Sequence, residues 1–195
     1  MDSTLRKVVT IVASLNLAYF GVEFAVAISI GSVSLFADSI DFLEDTSVNF
    51  LIALALGWSA MKRARLGMAL AGILLIPGVA TLWAAWQKLM APLPPAPIPL
   101  SITGFGALLI NFSCAFILAR FRSHSGSLTR AAFLSARNDA VANVAIIAAG
   151  FVTAYTLSAW PDLIVGLGIL AINADAARAV WSAARKEHAL ATAQP

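Results

Sequence analysis

The stretch SLFADSIDFLED, Ser34 to Asp45, places four carboxylates (Asp38, Asp41, Glu44 and Asp45) inside a segment otherwise apolar enough to cross a membrane. A carboxylate stripped of water costs several kcal/mol if it stays charged and unpaired, so acids in such a place mark an ion pathway, a proton relay or a buried pair. At about 100° per residue, Ser34, Asp38, Asp41, Asp45 and Asn49 fall within an arc of about 60–80°, a polar stripe on one helical face. Glu44 lies about 100° away from that stripe and points elsewhere.

The surroundings of this stretch set the class. Hydrophobic residues make up 60% of the 195 and charged residues 12%, with mean hydropathy +0.86, outside the range of a soluble domain. These values predict an all-α polytopic membrane protein, a single domain over residues 1–195. Its six transmembrane helices are expected at about 8–30, 33–58, 67–89, 100–118, 130–157 and 163–181. Arg6 and Lys7 precede a run long enough to span, with no small-residue cleavage site, so it reads as a retained first helix. The net charge of +3 is carried by small basic groups beside apolar runs, which reads as a topology signal and not as a nucleic-acid surface. Those groups (Arg6 and Lys7; Lys62, Arg63 and Arg65; Arg120, Arg122 and Arg130; Arg185 and Lys186) fall on one side of the bilayer, with only Lys88 opposite. Both termini are therefore expected in the cytoplasm. Cys114 is the only cysteine, which excludes a disulfide within the chain and a thiolate metal cluster.

Several connecting features carry their own expectations. Pro77-Gly78 should kink the third helix, and APLPPAPIP, Ala91 to Pro99, should form an extended surface loop. The end of the chain, RKEHALATAQP, should lack a fold of its own. His124 is a lone loop histidine and reads as solvated, Asn111 as helix–helix glue, and Asp175 with Arg178 as a local ion pair. Glu44 and Arg137 lie off their stripes at similar depth, so they either pair or Arg137 reaches the headgroups.

A second polar stripe lies in SARNDAVAN, where Ser135, Asp139 and Asn143 recur every four residues. Asp41 and Asp45 lie about 13 and 20 Å in from the outer end of their helix, and Asp139 about 14 Å in from the inner end of its own. In a hydrocarbon core about 30 Å thick all three sit near the midplane, so two antiparallel helices can enclose one site. Three ionised carboxylates converging in a low dielectric would repel by several kcal/mol. Such a site suits a divalent cation or protons, and exchanging one for the other would couple uphill cation movement to proton entry. Neutral, hydrogen-bonded acids holding the bundle together are the competing reading. Glu23, on one face with Asn16 and Tyr19, and Asp38 lie in the outer half and read as pathway residues, together with Asn143.

At these residues the chain resembles the cation diffusion facilitator family of metal transporters. In that family the second helix carries SLxAD followed by an H/DxxxD pair, matched here by SLFADSIDFLED with Asp41 and Asp45. The fifth carries HxxxD or DxxxD with an asparagine one turn on, matched by Asp139 and Asn143, and Glu23 and WPDLIVGLGILAI also fit. The resemblance implies a divalent metal exporter of the cytoplasmic membrane, not an enzyme, exchanging Zn²⁺ for protons, with Cd²⁺, Co²⁺ and Mn²⁺ as alternative cargo. Its implied partners are the lipid bilayer and a second copy through the transmembrane helices. Asp41, Asp45 and Asp139 would hold the metal. Ser135 stands where the family has histidine or aspartate, so the fourth place falls to Ser135 itself, to Asn49 or to water. Relatives generally continue into a cytoplasmic domain, which is expected to be absent here. Two functions of other classes fit the same acids: proton-coupled export of organic cations, with Trp83 and Trp86 as aromatic surface, and a non-transporting scaffold with a structural metal.

Overall fold

A computed structural model describes residues 2–55, 62, 65, 78–119 and 126–193. The protein is all-helical over these residues, with no strand among them. The helices are α1 (Asp2–Ile30), α2 (Val33–Ala55), α3 (78–90), α4 (Pro97–Ala119), α5 (Gly126–Thr156) and α6 (Trp160–Ala193). Within three of them, Ser3–Ile30, Pro97–Ala119 and Ala136–Thr156 are long and apolar enough to cross a membrane. α1 packs along α2 and α4 along α5, while α2 also touches α5 and α6.

The bundle is apolar outside and polar within, the reverse of a water-soluble core. Ile102, Phe112 and Phe116 of α4 and Val141 and Phe151 of α5 are exposed, whereas Asn16, Glu23, Asp38, Asn49 and Asn143 are buried. Two apolar clusters bracket this polar interior. Leu5, Val9 and Val12 of α1 meet Ala53 of α2, Cys114 and Leu118 of α4 and Ala136 of α5. Towards the opposite ends of the same helices, Ala27, Leu35, Ala37, Leu100 and Ile146 pack together with Ile169 of α6. Glu23 of α1, Asp38, Asp41, Glu44 and Asp45 of α2 and Asp139 of α5 fall between the two clusters in sequence.

Local chemistry explains the helix boundaries. Gly31 takes φ +63° between α1 and α2, a left-handed conformation that glycine adopts without Cβ strain. The Ser32 hydroxyl accepts the Leu35 N–H at 3.1 Å, an N-cap on α2. Two expectations are corrected. The proline-rich link is shorter than expected, because Pro97, Ile98 and Pro99 form the first turn of α4, where backbone N–H groups have no intrahelical partner for proline to remove. The terminal segment is helical through Ala193 and does not trail off, since its alanines, arginine and lysine are strong helix formers that prolong α6 well beyond residue 181. α1 likewise begins at Asp2, a turn and a half before the expected start. Pro77, and with it the expected kink, lies outside the described residues, as do Arg63 and His124.

Candidate metal site

The face of α2 that carries the polar stripe is turned into the bundle. Asp38 is fully buried, and Asp41, Asp45 and Asn49 are 8%, 7% and 1% exposed, as their spacing predicts. Glu44, off the stripe, is only partly buried. Across from Asp41, α5 presents Asp139, and the two carboxylates line one cleft of about 420 Å³. Asn138, Ala142 and Ala145 of α5 and Gly168, Ile169 and Asn173 of α6 complete its walls. Asn138 and Asn173 had no part in the sequence expectations. A lone amide in the apolar run of α6 and an amide beside Asp139 were the signals available.

Asp45 does not line this cleft. Its Oδ2 lies 3.5 Å from the Asn16 amide nitrogen on α1, and the Asn16 Oδ1 in turn faces the Cys114 thiol at 3.5 Å. Among the described residues no three acids, histidines or cysteines close on a single point. Asp41 and Asp139 are thus brought together, with Asp45 one turn further along α2 and turned towards α1.

Two asparagines repeat one geometry beside these acids. Asn49 donates through Nδ2 to the Asp45 backbone carbonyl at 2.8 Å, and Asn143 to that of Asp139 at 2.7 Å. With each amide nitrogen bound one turn back, each Oδ1 is left buried without a hydrogen-bond partner among the described residues. A buried carbonyl oxygen without a donor is costly, and a cation is one partner that satisfies it. Ser135 belongs to α5, but its side chain lies outside those described.

The family model described as the cation efflux transmembrane domain matches residues 9–186. The chain belongs to the cation efflux family. No curated protein matches it. As a member, this cation efflux protein is a multi-pass membrane transporter of divalent metal cations and not an enzyme.

Other residues of this cation efflux protein hold the site in place. Asp162, in the first turn of α6, is fully buried and caps α2 from across the bundle. Its carboxylate accepts the Val33 N–H at 2.8 Å, the Ser34 N–H at 3.1 Å and the Ser32 and Ser34 hydroxyls, each at 2.6 Å. A carboxylate there also complements the positive end of the α2 dipole. Lys88 of α3 donates to the Gly31 carbonyl at 2.6 Å, fastening the same corner. Tyr19 bridges α1 to α4, donating to the Thr103 carbonyl at 2.6 Å and packing its ring at a tilt against Phe42. One expected ion pair, and one of the two arrangements open to Arg137, are absent among the described residues. Arg137 is exposed and donates to Asn138 Oδ1 at 3.2 Å, leaving Glu44 without it. Asp175 and Arg178 are both exposed and form no ion pair, as a solvent-screened pair gains too little to hold two side chains in register.

Proposed function

We propose that this cation efflux protein exports Zn²⁺ from the cytoplasm in exchange for protons, through a midplane site of Asp41, Asp45 and Asp139. The observation that carries this reading is that Asp41 and Asp139, from two different helices, line the same cleft. A rotation that brings Asp45 from Asn16 towards that cleft would complete three carboxylate ligands, with the unpartnered Oδ1 of Asn49 or the hydroxyl of Ser135 at the fourth place. Three hard oxygen anions more than offset a divalent charge and can take protons once the metal leaves, so metal and proton occupancy alternate. An all-oxygen shell also accommodates Cd²⁺, Co²⁺ and Mn²⁺. Glu23, Asp38 and Asn143 belong to the route through the bundle.

In the proposed topology six helices cross the cytoplasmic membrane with both termini in the cytoplasm, where the basic groups lie. The exposed apolar faces of the helices suit lipid and a second copy of the chain. Vesicles reconstituted with the protein and given a pH gradient should take up Zn²⁺, and Asp45→Ala and Asp139→Ala should each abolish the uptake. Normal uptake by both variants contradicts the proposed site.

A further inference from the structure

A different face of α5 from the one that carries Asp139 meets α4 along a groove of about 600 Å³. Phe112 and Phe116 of α4 and Val141 and Val144 of α5 line it, and all four are exposed. Leu118 and Ala136 share one apolar cluster, whereas Gly104 faces Ile146, so the two helices run antiparallel. Arg137 therefore stands at the end of the groove where α4 finishes. From Leu108 to Ala119 the groove follows α4 for about 16 Å, close to half of a hydrocarbon core about 30 Å thick.

Arg137 is the second residue of Ala136–Thr156, the part of α5 apolar and long enough to cross a membrane, which puts its guanidinium where hydrocarbon meets headgroups. It is exposed, donates to Asn138 Oδ1 at 3.2 Å and has no acidic partner among the described residues. An apolar helix face can be covered by lipid or by a second copy of the chain. Copies inserted in one orientation share depth, so a two-fold contact through this groove would bring each Arg137 towards its own counterpart. A phosphate at headgroup level has the opposite charge and the oxygen pair that a guanidinium binds as a fork. In a zwitterionic headgroup that phosphate is offset by its own ammonium group, so a net negative lipid is favoured.

We propose that the α4–α5 groove binds an anionic phospholipid, with one acyl chain laid along Phe112, Phe116, Val141 and Val144 and the phosphate held by Arg137. The length of the groove suits the chain of a lipid in one leaflet, and its single charged group lies at the end where that lipid carries its own. The site is independent of the metal carried and of its coupling to protons. It shares Val141 with the cleft of Asp41 and Asp139, so a bound chain backs the helix that positions Asp139.

Native mass spectrometry of the purified full chain in detergent tests this, with phosphatidylglycerol and phosphatidylcholine of identical acyl chains as the added lipids. Wild type is expected to bind its first phosphatidylglycerol about fivefold or more tightly than its first phosphatidylcholine. Arg137→Gln should bring the two affinities together. Val144→Trp, which fills the groove and leaves Arg137 in place, should remove the tight phosphatidylglycerol step. Both positions are exposed, and should Val144→Trp fail to fold, the Arg137→Gln comparison decides alone. Equal binding of the two lipids by wild type, or a preference undiminished in Arg137→Gln, would overturn the proposal. So would a wild-type dimer that carries no tightly bound phosphatidylglycerol and that Val144→Trp splits into monomers, which would give the groove to a second copy.

Discussion

The carboxylate of Asp162 reaches across the bundle to Ser34, accepting both its backbone N–H at 3.1 Å and its hydroxyl at 2.6 Å. A residue from the first turn of α6 thereby caps the helix that carries Asp41 and Asp45. In Asp162→Ala the N–H groups of Val33 and Ser34 and the two serine hydroxyls lose a buried acceptor. The expected loss is about 2–4 kcal/mol, read as a lower midpoint of thermal unfolding in detergent. An unchanged midpoint would show that the cap does not hold α2.

Gly166 keeps α6 against the start of α2. A Cβ at this position would lie 2.8 Å from the backbone of Val33 and Ser34, which cannot yield as a side chain would, whereas a Cβ at Gly168 meets nothing within 4 Å. Gly166→Ala should therefore cost about 1–3 kcal/mol, and Gly168→Ala close to nothing. Equal effects of the two substitutions on thermal unfolding would contradict this packing.

Asn16 orients Asp45 from outside the proposed ligand set, through its amide at 3.5 Å. Partners of this kind commonly contribute 10–100-fold to metal affinity. Asn16→Ala is expected to weaken Zn²⁺ binding by about tenfold in a calorimetric titration while leaving the number of bound ions unchanged. Wild-type affinity in this variant would remove Asn16 from the site.

Ser135 occupies the position at which an imidazole would suit zinc. Ser135→His should tighten Zn²⁺ binding by on the order of tenfold or more and raise preference for Zn²⁺ over Mn²⁺, because imidazole nitrogen favours the former. Competition between the two metals in one titration measures this. A variant whose preference stays that of the wild type places the fourth ligand elsewhere.

Local spacing carried the burial of the polar face of α2. The inward turn of Asp38, Asp41, Asp45 and Asn49 follows from positions three and four residues apart on one helix, and the outward displacement of Glu44 from the same geometry. Common depth on antiparallel helices led to one site for Asp41, Asp45 and Asp139, whereas Asp41 and Asp139 line one cleft and Asp45 turns towards Asn16. The cap by Asp162 was out of reach of such reasoning. Its partners Ser32 and Ser34 lie about 130 residues earlier, and nothing local distinguishes a capping carboxylate from a solvated one. Proline and end-of-chain composition misled, because they report average tendencies while position in a helix decides whether Pro97 or Arg185 is tolerated.

The most direct measurement is anomalous diffraction from crystals of the full chain soaked in Zn²⁺. A single anomalous peak in the bundle, bounded by Asp41, Asp45 and Asp139 with an oxygen of Asn49 or Ser135 beside it, is the expected result. A peak bound elsewhere in the bundle, or none between α2 and α5 at saturating metal, would contradict the midplane site.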